Sequence, residues 1–359
     1  MLDLYTYQLP FNKPFKTGST SFSTRSGLIL RFKDSSSDAI SEAAPLPGFS
    51  REGINDVINS ADTRKKSIQQ FFKNDFELSE LKSFSETFHK LPSLQFALEM
   101  LGIELLCQRN SSTVSKILGL PARNFINVNT VIGTGSKDEI IDQVKTEYSK
   151  GFRVFKIKVG KSPDAAAKKL HDLHQEYPEI SFRLDANQTW PLEKVREYSS
   201  LFHNLPIEYV EEPSVYKSEN ELNKITDNCE LPVALDESVS DLNSFSAQLE
   251  NEKIQAFVIK PSIFGSILKF IDTISSRNHL IDKIVITSAF ESGVGLNQFA
   301  CLAALAGSKS RAHGLNTNHY FKHRLAEKFV IKNAGISFSG KSGFGIVFDD
   351  LDRKLLKGV

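Results

Sequence analysis

With 359 residues, 40% of them hydrophobic and 24% charged, the chain has room for one large domain and a smaller one, and it is too apolar to be disordered or fibrous. Its 44 lysines and arginines nearly cancel its 43 acids, so the basic field that nucleic-acid binding needs is missing. No apolar run approaches the roughly 20 residues of a membrane span, Met1–Tyr5 has no basic region followed by an apolar stretch, so no signal peptide is expected, and the distant Cys107, Cys229 and Cys301 form no CxxC pair. Buried free thiols in a cytoplasmic protein are expected.

Ser26–Phe32 reads as a strand running into the turn-rich Lys33–Asp38, a hairpin signal. Pro45, Pro47 and Gly48 then exclude regular structure. Asn55–Lys90 is helical and polar, and Pro92–Cys107 places apolar residues at helical spacing behind a proline. Residues 1–120 thus read as an α+β unit. The segment 121–325 repeats a short apolar strand and an amphipathic helix. Strands are expected at Phe125–Ile132, Val154–Val159, Phe182–Ala186, Ile207–Val210, Val233–Leu235, Ala256–Ile259, Ile284–Thr287 and Ala312–Leu315, with helices that include Lys137–Lys150, Leu192–Leu201 and Leu296–Ala306. Eight such units predict an α/β fold of the closed, parallel TIM-barrel type, with an open doubly wound sheet as the alternative. The tail 326–359 returns to β and turn residues and is expected to pack on the first unit.

Charges stand at the ends of successive strands: Lys156 and Lys158, Asp185, Glu211, Asp236 and Lys260. From Lys158 onward they are 27, 26, 25 and 24 residues apart, about one βα unit each, so each falls at the same level of its own strand. In a barrel that level is the C-terminal mouth, where the chemistry sits. Three carboxylates without His or Cys describe a hard-cation site suited to Mg²⁺, with water and substrate oxygens filling its octahedron. Lys156 beside Lys158, together with the cation, would lower the Lys158 pKa toward useful basicity. The chemistry implied is removal of a proton α to a carboxylate of a small molecule.

The KxK pair Lys156/Lys158, Asp185–Asn187 (DAN), Glu211–Pro213 (EEP), Asp236–Ser238 (DES) and Ile259–Pro261 (IKP) together resemble the enolase superfamily, in its muconate-lactonizing-enzyme-like subgroup, over essentially the whole chain. That superfamily's Lys or His base with Mg²⁺ is a known pairing. The resemblance implies a modified (β/α) barrel under an N-terminal α+β cap. It also implies Asp185, Glu211 and Asp236 as ligands of one Mg²⁺ (Mn²⁺ substituting), Lys158 as base and Lys260 as its counterpart across the site. Glu212 and Glu237 are read as supporting or structural acids. IVITSAFES at the seventh strand has no His, which disfavours the mandelate-racemase type.

Ala44–Glu52 (APLPGFSRE), Thr287–Leu296 (TSAFESGVGL) and His313–Thr317 (HGLNT) resemble the o-succinylbenzoate synthase family most. That likeness implies a lyase of menaquinone biosynthesis. It would carry out syn dehydration of 2-succinyl-6-hydroxy-2,4-cyclohexadiene-1-carboxylate to 2-succinylbenzoate through a metal-stabilised enediolate. Asn187, Ser288, Glu291 and, from the loop Gly18–Ser26, Arg25 are candidates for substrate contact. N-acylamino acid racemase and dipeptide epimerase use the same machinery and remain alternatives, although Gly314–Thr317 lacks the Asp-x-Asp typical of the epimerases. An inactive barrel serving as a binding protein is the alternative of another class. Gly133–Lys137 looks faintly like a phosphate loop but lacks its spacing, and Ser136 as a helix N-cap explains it better. His313 and Trp190 are read as structural.

Overall fold

The structure is a computed structural model that describes residues 1–16, 21–133, 136–160, 163–327, 329–338 and 342–359. Part of the loop Gly18–Ser26, and Thr134 and Gly135 of the faint phosphate loop, lie outside the described residues. In chain order the elements of the cap are β1 (Leu2–Lys16), β2 (Ser21–Lys33), β3 (Asp38–Ala43), α1 (Ile54–Thr63), α2 (Lys65–Lys73), α3 (Leu78–Glu86), α4 (Pro92–Arg109) and the short α5 (Val114–Leu118). The expected hairpin joins β2 to β3. Asp34 closes it by accepting from the N–H groups of Ser36 (2.8 Å) and Ser37 (2.7 Å), and Arg31 pairs with Asp38 across it. The long β1 pairs antiparallel with β2, and neither its existence nor its length was read from the sequence.

There follow β4 (Phe125–Asn127), β5 (Thr130–Ile132), α6 (Lys137–Ser149), β6 (Val154–Lys158), α7 (Pro163–Glu176), β7 (Ser181–Asp185), α8 (Val195–Ser200), β8 (Ile207–Glu211), α9 (Glu219–Asn228), β9 (Val233–Leu235) and α10 (Leu242–Ser246). The last elements are β10 (Ile254–Ile259), α11 (Pro261–Phe264), α12 (Ile267–Ser275), α13 (Asn278–Ile281), β11 (Ile284–Ile286), α14 (Gly293–Ala306), β12 (Gly335–Ser337) and β13 (Leu356–Gly358). β5 to β11 form one seven-stranded sheet, parallel throughout and in sequential order. Ser136 does cap α6, in a reciprocal box with Glu139.

Two expectations change. The run Phe125–Ile132 is not one strand. Its partner changes midway: β4 pairs antiparallel with β12, and β5 pairs parallel with β6. The eighth segment, Ala312–Leu315, is not a strand but closes the ring by single bridges, His313 to Val128 on one edge and Gly314 to Thr287 on the other. A Cβ on Gly314 would fall 2.2 Å from the Thr287 hydroxyl, so only glycine permits this approach. His313 is fully buried, its Nδ1 accepting from the Ile286 N–H and its Nε2 meeting the Ser308 carbonyl. Burial, helped by Arg123 and Arg183, drives its pKa down to about 3, so it is a neutral brace of the closure.

Cap and barrel share one hydrophobic core. Helix α4 lies at its centre, with fifteen of its eighteen residues buried, and touches α3 and β3 on the cap side and α11 and α12 on the barrel side. The terminal strand β13 adds to the free edge of β1. Among the described residues no helix is long and apolar enough to cross a membrane.

Candidate active site

Sheet register brings the strand-end charges together. Lys158 pairs with Asp185 and Asp185 with Glu211, while Glu211 pairs with Ala234, two residues before Asp236. Because strand side chains alternate, these groups point into the mouth from one level. They line a cavity of about 140 Å³ with Lys156, Lys260, Asn187 and Glu237. A neighbouring hollow of about 260 Å³ shares Phe49, Asp236, Glu237, Val258 and Lys260 with it and extends the same mouth.

Asp185, Glu211 and Asp236 are 5%, 2% and 7% exposed. Carboxylates so buried need positive partners. Lys156 supplies one, with its Nζ 3.1 Å from Asp185 and hydrogen-bonded to Glu211, and Lys260 supplies another to Asp236. Burial disfavours the Lys156 ammonium, but Asp185, Glu211 and Asp236 outweigh it and hold it charged. Lys260 is held charged in the same way, against burial, by Asp236 and Glu237. Burial pushes the Glu211 carboxyl up, Lys156 opposing and Asp185 adding to the rise. Among the described residues no three His, Cys, Asp or Glu side chains are already drawn together as a metal cage.

The strand ends beside these groups are bent. Asn187, Gln188, Glu212 and Phe290 all have positive φ (45°, 59°, 42° and 63°), a conformation non-glycine residues hold only when their surroundings enforce it. Asn187 lines the cavity and donates to Glu237 at 3.1 Å. Ser288 also lines it, whereas Glu291 lies behind the wall, accepting from the hydroxyls of Ser288 (2.8 Å) and Ser262 (2.6 Å). Arg25, expected among the substrate contacts, is 1% exposed and donates instead to the carbonyls of Ala44, Pro45 and Phe290. It thereby ties the cap segment carrying Leu46 and Phe49, both cavity residues, to the barrel. Trp190 is buried against Phe202 with its ring N–H on the Gly160 carbonyl, a packing role.

Several cavity residues escaped sequence reading: Asn129, Tyr209, Asn316, Thr317 and Tyr320. Tyr209 carried a signal, since it stands two residues before Glu211 and so shares its face. Asn316 lay in the stretch HGLNT that carries the family resemblance, whereas Asn129 carried no signal, because it comes from an irregular segment that closes the ring.

Residues 1–105 match the family described as MenC, N-terminal domain, and residues 139–352 match the family described as enolase C-terminal domain-like. The chain is 30% identical to the o-succinylbenzoate synthase of Aliivibrio fischeri over 90% of its own length and 91% of the relative's. It also resembles the muconate lactonizing enzyme of Pseudomonas fluorescens, crystallised with muconolactone (TM-score 0.83, 15% identity, 99% and 98% of the two chains), and the dipeptide epimerase of Methylococcus capsulatus, crystallised with Mg and a dipeptide (0.81, 20%, 97% and 99%). At these identities the two structures speak for the fold. The chain belongs to the enolase superfamily and, within it, to the o-succinylbenzoate synthase family of lyases.

Proposed function

We propose that the chain catalyses the Mg²⁺-dependent syn dehydration of 2-succinyl-6-hydroxy-2,4-cyclohexadiene-1-carboxylate to 2-succinylbenzoate. The observation that carries this reading is a single cavity lined by Lys158, Lys260 and the acids Asp185, Glu211 and Asp236 of consecutive strands. The donor set fits a hard dication: three buried carboxylates with no nitrogen or sulfur ligand among them. When bound, such a cation supplies positive charge against the negative charge that builds on a carboxylate as its α proton leaves. Asp185, Glu211 and Asp236 would hold it, their present ammonium partners turning away.

Lys158 would remove the proton α to the ring carboxylate. The resulting ammonium, on the same face, would return that proton to the departing hydroxyl, so that water leaves and the ring becomes aromatic. Lys260 would stay charged and oppose the negative charge of the intermediate. Leu46 and Phe49 of the cap would limit the access of water.

Dipeptide epimerisation needs an acid for the substrate ammonium. The eighth segment offers Gly314, Asn316 and Thr317 to the cavity, and no carboxylate. The test is loss of cyclohexadiene absorbance by the purified protein with Mg²⁺, run beside deuterium exchange at the α carbon of a dipeptide panel. Dehydration with little exchange is expected, and Lys158→Ala and Lys260→Ala should each lower kcat by at least about 10²-fold with unchanged circular dichroism. Efficient exchange without dehydration would overturn the reading.

A further inference from the structure

We propose that Glu212 is the positioning residue of the acidic cluster: it holds Asp236 in its working orientation without touching metal or substrate. The inference rests on the reading of Asp185, Glu211 and Asp236 as the metal-holding set. Glu212 directly follows β8, is 1% exposed, and does not line the cavity. Its Oε1 accepts from the backbone N–H of Asp236 (2.9 Å) and of Ser238 (2.8 Å). Its Oε2 accepts from the Ser238 hydroxyl (2.8 Å) and from Gln188 Nε2 (3.1 Å). Those four bonds saturate the carboxylate.

The backbone of the same residue joins its neighbours on both sides. The Glu212 N–H donates to the Ala234 carbonyl at 3.0 Å, and its own carbonyl accepts from the Gln188 N–H at 2.7 Å. One residue therefore fastens the ends of β7, β8 and β9, the three strands that carry Asp185, Glu211 and Asp236. The left-handed φ of 42° turns its side chain away from the mouth and toward the end of β9. Asp236 itself has an irregular backbone, φ −128° and ψ −80°, and the bond from its N–H to Glu212 fixes that bend. Packing alone would need no anion here. A carboxylate with three of its four bonds made to the strand end that carries a ligand is what orienting that ligand requires.

Mn²⁺ and Mg²⁺ titrations by calorimetry on the full chain test this. Glu212→Ala should weaken metal binding by about 10- to 100-fold, the usual cost of losing a partner that orients a ligand. Glu212→Gln should lose less, about 3- to 10-fold, because its amide oxygen still accepts both N–H groups. A control in another buried acid, Glu104→Ala, should lower Tm and leave the affinity within about twofold, because Glu104 binds Gln108 and the Phe344 N–H and does not line the cavity. If Glu212→Ala is folded and binds within about twofold of wild type while Asp236→Asn does not bind, the inference is overturned and the functional reading stands. Should Glu212→Ala not fold, Glu212→Gln with wild-type affinity overturns it equally. A wild-type chain that binds neither ion strikes the functional reading itself, and this inference with it.

Discussion

The hydroxyl of Ser288 stands in the cavity wall and is closed to a ligand. Its hydrogen goes to Glu291, its oxygen accepts from the Phe290 N–H (2.9 Å) and the Thr317 hydroxyl (3.0 Å), and its N–H goes to the Gly314 carbonyl (2.9 Å). What this corner offers a substrate is the oxygen of Thr317, whose own hydrogen is already directed at Ser288. Arg25 acts in the same way at a larger radius, as a buried cation that organises wall residues through their carbonyls. Arg25→Met should therefore destabilise the chain by several kcal/mol, since each carbonyl left without its donor costs roughly 1–3 kcal/mol. It should also raise KM more than it lowers kcat, because the segment with Leu46 and Phe49 loosens. Thermal melts beside steady-state kinetics decide the matter. A variant with wild-type Tm and a raised KM would make Arg25 a direct substrate contact instead.

Helix α4 crosses from cap to barrel and carries an acid at the crossing. Glu99 accepts from the hydroxyls of Ser85 (2.8 Å) and Ser266 (2.9 Å) and from the Leu268 N–H (2.9 Å) at the start of α12. Burial outweighs these bonds and lifts its pKa from 4.5 to about 7. Between those values the folded chain keeps a proton that the unfolded chain has lost. Stability from this group is therefore fully present below about pH 4.5, falls as pH rises toward 7, and is level beyond, a change of about 3 kcal/mol at most. Urea melts of wild type and Glu99→Gln from pH 4.5 to 8 should differ by an amount that moves against the wild type over this window; a constant difference would place the titration elsewhere. Elements such as α4 were legible because a proline start and helical apolar spacing are local signals, and the strand-end charges were legible because the βα repeat sets their period. The split of Phe125–Ile132 and the bridging at His313 and Gly314 were not, because each depends on which distant backbone arrives as partner. The wall role of Arg25 was not legible for a related reason: a lone arginine in a polar loop reads as a candidate for substrate contact until its carbonyl acceptors are in place.

At the scale of the whole molecule, the cavity belongs to neither cap nor barrel alone. Leu46 and Phe49 come from the cap, while the acids and lysines come from the barrel. Chains of this length commonly unfold in stages, yet this one is stitched across the divide. Glu42 of β3 reaches the N-terminus of barrel helix α14, accepting from the Ser292 N–H (2.9 Å) and the Gly295 N–H (2.8 Å) and from the buried Tyr7 hydroxyl. It is a helix cap supplied from the other unit. Together with Arg25, Glu99 and the shared apolar core, it should make cap and barrel unfold as one. The single tryptophan gives a reporter, since Trp190 is buried beside β7 and senses the barrel only. In urea, its fluorescence and the far-UV circular dichroism of the whole chain should share one midpoint. Glu42→Ala leaves two backbone N–H groups, the Ser292 hydroxyl and a phenol without their acceptor, at roughly 1–3 kcal/mol each. It should lower both midpoints by the same amount, although the substitution lies in the cap. A circular dichroism transition that moves while that of Trp190 stays would mean that the barrel stands without its cap.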